Sequence, residues 1–234
     1  MEQWLEWARG PAFRFSFVLM ILGLIRVFLL NVISIRSMIR RAGDGKIPAK
    51  KVFGETLRWV FPFRRIQKDR MFFAVVSVLF HLSIIVTPIF LGAHILLWER
   101  GLGVSWPAIG QGLADWLTLL AVATALILFV QRIAARATRA LSRLQDFLIP
   151  LIIAVPFASG YLAMHPDLNP FSYDATMFVH VMSGNLIFIL IPFSKLSHVV
   201  LFSTTQLISE AGWHLVPGAG AKVAAALGKE DEPL

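Results

Sequence analysis

The chain has 234 residues, 57% of them hydrophobic and 15% charged, with a mean hydropathy of +0.71, which is more apolar and less charged than an ordinary water-soluble domain. It has no cysteine, which excludes a disulfide framework, a thiolate-held iron–sulfur cluster and a cysteine-based zinc site. The net charge of +8 comes from Lys and Arg in loops between apolar runs, not along one stripe, so it reads as a topology signal and not as a nucleic-acid surface.

Five apolar runs, near 13–34, 71–98, 114–131, 146–164 and 176–203, are long enough to cross a hydrocarbon core of about 30 Å. The expected fold is an all-α integral membrane protein, a bundle of five transmembrane helices. The first run follows Glu2, Trp4 and Trp7 and lacks a small-residue cleavage site, so it reads as a retained helix and not a signal peptide.

A strongly basic loop, 35–70, joins the first two runs and includes Arg36, Arg40, Arg41, Lys46, Lys50, Lys51, Arg58, Arg64, Arg65, Lys68 and Arg70. Arg132, Arg136, Arg139 and Arg143 lie between the third and fourth runs, whereas the other two loops carry Arg100 as their only Lys or Arg. The positive-inside rule then puts the N-terminus outside and the C-terminus in the cytoplasm. Trp98, Trp106 and Trp116 fall at the outer interface, where amphipathic rings are favoured. The basic loop mixes its cations with Val52, Phe53, Leu57, Trp59, Val60 and Phe61, so it suits either the lipid headgroup plane or the docking of a cytoplasmic subunit. Residues 1–214 form the expected membrane domain. Residues 215–234, rich in Gly and Ala and ending in charge, read as a cytoplasmic tail with a composition open to disorder.

Four of the six histidines fall inside these runs, His81 and His94 in the second, His180 and His198 in the fifth. Ionisable groups at membrane depth are costly and usually functional. The second run is directed outward and the fifth inward, so His81 and His198 share the cytoplasmic depth while His94 and His180 share the outer depth. Two imidazoles facing each other across a bundle are what a bis-histidine haem iron needs, and one pair near each face makes a two-step electron path. The eighteen-residue interval from His180 to His198 equals five turns of a continuous helix at about 100° per residue, which predicts a shared face. Gly184 lies one turn from His180 on that face, where a missing side chain suits either a flat macrocycle or close helix packing. The thirteen residues from His81 to His94 do not close on one face; Pro88 between them is expected to kink the helix.

The segment HVMSGNLIFILIPFSKLSH, from His180 to His198, closely resembles the last helix of the gamma subunit of respiratory nitrate reductase, a five-helix dihaem cytochrome b. It matches in the histidine interval, in Gly184, and in the run Pro192, Phe193, Ser194 and Lys195. LFHLSIIVTPIFLGAH resembles that family's second-helix ligand segment, and GLIRVF around Arg26 resembles part of its first helix. The second-helix interval and the long basic loop bring the chain nearer a wider set of cytochromes b, attached to heterodisulfide-reductase-like, sulfite-reductase-linked or hydrogenase complexes. The resemblance implies two b-type haems held by His81 with His198 and by His94 with His180. It implies a quinone-reactive subunit of a multi-subunit oxidoreductase in a bacterial or archaeal cytoplasmic membrane. It also implies cytoplasmic partners, an iron–sulfur electron-transfer subunit and a catalytic subunit. The family's lysine near the start of the third helix has no counterpart here, where the sequence reads GLADW around Asp115.

Lys195 and Arg26 are candidate partners for haem propionates, with snorkelling to the interface as the alternative for Arg26. Asp115, Asp174 and His165 read either as solvated loop residues or as proton relays, and His214 reads as a surface residue. Two rival functions remain at this level: a transporter using its membrane histidines as a proton relay, and a haem-free anchor for a peripheral enzyme.

Overall fold

The computed structural model describes residues 1–41, 50, 53–54, 71–202, 204, 208 and 218–231, and these are helical with no strand. Most of the basic loop 35–70, including its apolar and cationic stretch, lies outside the described residues, as does His214. Five helices are long and apolar enough to cross a membrane. The helices form two compact units, one of Met1–Val18 with Ile66–Ile189 and the other of Leu19–Arg65 with Leu190–Leu234.

The first span extends well beyond the expected run. Helix α1 (Glu2–Trp7) passes through a π turn at Ala8–Ala12 into α2 (Phe13–Arg41). Pro11 sits inside that turn, where its missing N–H suits a local widening of the ladder. The bulge is tied down from a distant helix: Asn185 donates from Nδ2 to the Ala8 carbonyl (3.0 Å), and Ser16 donates from Oγ to Asn185 Oδ1 (3.2 Å). Ser16 and Asn185 are both buried.

The second run is not one helix. It divides into α3 (Met71–Phe90) and α4 (Gly92–Leu102), with Leu91 between them in extended conformation. The third and fourth runs are α5 (Gln111–Ala134) and α7 (Leu144–Met164), joined through the short α6 (Arg136–Leu141). The Arg143 backbone N–H donates to Asp146 (2.8 Å), closing the start of α7. The fifth run is interrupted too. Helix α8 (Tyr173–Phe193) stops just after Pro192, Ser194 is extended and accepts the Leu196 N–H, and a 3₁₀ turn at Lys195–Ser197 leads to His198. The expectation of a shared face for His180 and His198 fails for that reason, because five turns of continuous helix do not separate them. The tail is also more ordered than its composition suggests, with α9 at Ala219–Ala226.

Within the first unit, α5 packs against both α3 and α7. Its buried positions are small: Ala114, Ala121, Thr124 and Ala125. Facing helices contribute Ser83 and Thr87 from α3, and Ala154, Ser159 and Ala163 from α7. Small residues let membrane helices approach closely, where van der Waals contact and not water exclusion drives association. Three of these buried hydroxyls are satisfied within their own helices, with Thr124 donating to the Leu120 carbonyl (2.6 Å), Ser159 to that of Val155 (2.7 Å) and Ser83 to that of Leu79. Large apolar side chains point outward instead, among them Phe15, Leu22, Phe72, Ile85, Leu97 and Val130. Phe80, Ile95 and Ile153 are buried beside these small and polar residues, and the apolar exterior is what a bilayer favours.

Candidate functional site

The break at Leu91 organises the site. Extended backbone at Leu91 ends the α3 ladder and leaves its last carbonyls without helical partners, a cost that membrane depth does not forgive. Each finds a donor. The Leu91 N–H reaches the Thr87 carbonyl (2.9 Å), Trp106 Nε1–H reaches that of Ile89 (2.9 Å), and the Ile109 N–H reaches that of Phe90 (3.0 Å). The Pro88 carbonyl accepts from Nδ1 of His94 (3.0 Å), so the kink anticipated around Pro88 binds the histidine beyond it. The Thr87 hydroxyl, buried beside this break, has no hydrogen-bond partner among the described residues.

His180 is oriented in the same manner by another proline. Its Nδ1–H donates to the Pro156 carbonyl of α7 (2.8 Å). Gly160, one turn along α7, makes this approach possible: a Cβ there would lie 3.0 Å from both Cε1 and Nδ1 of the imidazole. Two prolines and one glycine thus clear and aim the ring positions, with both histidines half-buried.

His94 and His180 come together. Their ring centroids are 6.0 Å apart and their planes differ by 22°. A carbonyl only accepts, so each Nδ1 carries the proton and each Nε2 keeps its lone pair. This is the ligand-competent form, with the outer nitrogen held by a backbone acceptor that raises basicity and fixes the ring. With Nδ1 committed to a carbonyl in each ring, His94 and His180 are the residues that would hold a metal-centred group, through Nε2. Gly184 meets nothing within 4 Å at its Cβ position, so that stretch of α8 is open to a flat group.

The other two histidines share the tautomer but not the surroundings. In α3, exposed His81 donates from Nδ1 to the Ser77 carbonyl (2.7 Å) and meets the Phe80 ring edge-on, with centroids 5.5 Å apart. His198, also exposed, donates from Nδ1 to the Lys195 carbonyl (2.8 Å). His81 belongs to the first unit and His198 to the second. The Lys195 and Arg26 side chains are exposed, and both residues belong to the second unit.

Three features escape sequence reasoning. Gly160 is named by no motif, although a glycine four residues after Pro156 inside an apolar helix is a signal of close approach. The π turn with its Asn185 tether leaves no periodic trace. Asp115 and His165, each read either as a solvated loop residue or as a proton relay but not as partners, lie 3.5 Å apart.

Fold and site together define a multi-pass helical membrane protein with a preorganised imidazole pair. Among curated proteins, one from Nitratidesulfovibrio vulgaris (strain Hildenborough), named only "Protein", is 37% identical to this chain over 147 residues, 62% of the chain. The match spans 64% of that relative's length. No family model matches the chain, and no solved structure matches it.

Proposed function

We propose that this chain is the membrane-embedded dihaem cytochrome b subunit of a respiratory oxidoreductase in a bacterial or archaeal cytoplasmic membrane. In this reading it exchanges electrons between a quinone pool and a cytoplasmic iron–sulfur subunit that serves a separate catalytic subunit. The observation that carries the reading is the His94–His180 pair, with near-parallel rings at 6.0 Å and both Nδ1 protons held by proline carbonyls. The second haem falls to His81 and His198 by the matched depths of the spans and by the resemblance of the last helix. The N-terminus is outside and the C-terminus cytoplasmic by the distribution of Arg and Lys.

A b-type haem supplies reversible one-electron exchange between ferric and ferrous iron. The chain's own part is to hold and tune. His94 and His180 offer Nε2 lone pairs, the Pro88 and Pro156 carbonyls keep the imidazoles from rotating, and Gly184 leaves room beside them. Lys195 and Arg26, both in the second unit, are the cations that would hold haem propionates. The apolar exterior keeps the protein in lipid and water away from the pair.

The test is a reduced-minus-oxidised visible spectrum of the purified chain expressed with ample haem. Two b-type components are expected, and H180A or H94A should remove one while leaving the other. No haem bands in the wild-type protein would overturn the reading in favour of a histidine proton relay or a haem-free anchor.

A further inference from the structure

A second titratable cluster shares α7 with the imidazole pair. Near the start of α5, Gln111 donates from Nε2 to Oδ1 of Asp115 (2.9 Å). The other carboxylate oxygen, Oδ2, faces Nε2 of His165 at 3.5 Å, at the end of α7. Tyr161 lays its ring against the His165 imidazole with centroids 4.1 Å apart, and its backbone carbonyl accepts the Nδ1–H of His165 (2.8 Å).

That last bond decides the chemistry. With the Nδ1 proton committed to a carbonyl, neutral His165 would turn an Nε2 lone pair toward a carboxylate oxygen. Two acceptors attract only with a proton between them, carried as imidazolium or as carboxylic acid. The arrangement is therefore suited to hold one proton. The two side chains are 29% and 24% exposed, so water reaches that proton. Among the described residues Asp115 is the carboxylate within ion-pair distance of His165; Asp167 and Asp174, the next acids along the chain, make no such contact.

The location relates this pair to the imidazole pair. Gly160, on which His180 packs, precedes His165 by five residues, or about 7.5 Å along the helix axis. We propose that Asp115 and His165 form the proton-exchange site for a quinone reacting at the His94–His180 end of the first unit. This rests on the cytochrome reading above. Oxidation of a hydroquinone breaks two O–H bonds, releasing two protons and two electrons and leaving the quinone. The protons would pass one at a time to His165 Nε2 and on to water, and a b-type haem held by His94 and His180 would supply the one-electron acceptor for the two electrons. Quinone reduction runs the same exchange backward.

The experiment uses the haem-loaded full chain in detergent, with a water-soluble hydroquinone as one reductant and dithionite, which brings no O–H bond to break, as the other. H165Q and D115N should each slow haem reduction by the hydroquinone about ten- to a hundredfold and flatten its pH profile. Reduction by dithionite and the haem spectrum should stay unchanged, and D115E should restore part of the rate. Independently of turnover, the infrared difference spectrum of the oxidised chain between low and high pH should contain a carboxyl or imidazole signal absent from both variants. If the variants keep the hydroquinone rate and the pH profile, or lose only thermal stability, the pair is a clasp between helix ends and the proposal fails. A wild-type chain without haem bands would instead defeat the cytochrome reading, a separate outcome visible before any variant is made.

Discussion

The two expected haem sites differ in how much the protein has built around them. His94 and His180 are half-buried, lie within one compact unit, and have their rings aimed by carbonyls from other turns or helices: Pro88 across a broken helix and Pro156 from α7. His81 and His198 are exposed, fall in different units, and each donates from Nδ1 to a carbonyl within four residues of itself. A histidine held by a distant acceptor resists rotation because moving it breaks tertiary structure. The first pair is preorganised within one unit.

The largest expected effect breaks the comparison at its root. H94A and H180A should each abolish one b-type component outright, and H81A and H198A the other, read by low-temperature spectra of the reduced chain. If H94A and H180A removed different components, the pairing would be wrong.

The next effect tests packing in the second unit. A Cβ on Gly23 would fall 2.5 Å from the Cβ of Pro192, and a proline ring cannot swing away. G23V should lower stability by about 3 kcal/mol, the upper part of the usual overpacking range, measured by thermal unfolding in detergent.

G160A is a gentler change because the imidazole has some freedom to tilt. We expect a loss of about 1–2 kcal/mol and an altered low-spin EPR signal from one haem only, the one held by His180. An unchanged EPR signal would mean that α7 does not aim this ring.

The smallest effect is expected from W106F, which keeps an aromatic ring, though a smaller one, but leaves the Ile89 carbonyl without its donor. A loss of about 1 kcal/mol should accompany faster amide exchange around residues 91–95. The His81 environment should not respond.

Hydropathy and loop charge were enough to place five spans, because a lipid-facing helix announces itself through composition alone. Breaks within the spans were harder to read. Pro88 marked a disturbance, yet the extended residue is Leu91, and what makes it tolerable is Trp106 and Ile109, side chain and backbone from a loop more than a dozen residues on. Pro192 and Ser194 looked like motif residues inside one helix and instead end it. His94 and His180 were matched by depth, an argument that survives helix breaks, whereas the shared face of His180 and His198 relied on unbroken periodicity and failed with it. Gly160 went unnoticed because its meaning lies in a ring delivered by another helix.

Leu91 also changes what the interval between His81 and His94 can mean. In an unbroken helix each added residue would swing the second imidazole by about 100°, and any change in spacing would misdirect it. With a joint at Leu91, the aim of His94 is set by the Pro88 carbonyl beyond the end of the ladder, and the thirteen-residue count ceases to be a ruler. The direction of the second imidazole relative to the first is therefore set at the Leu91 joint and not by the helical period of the interval.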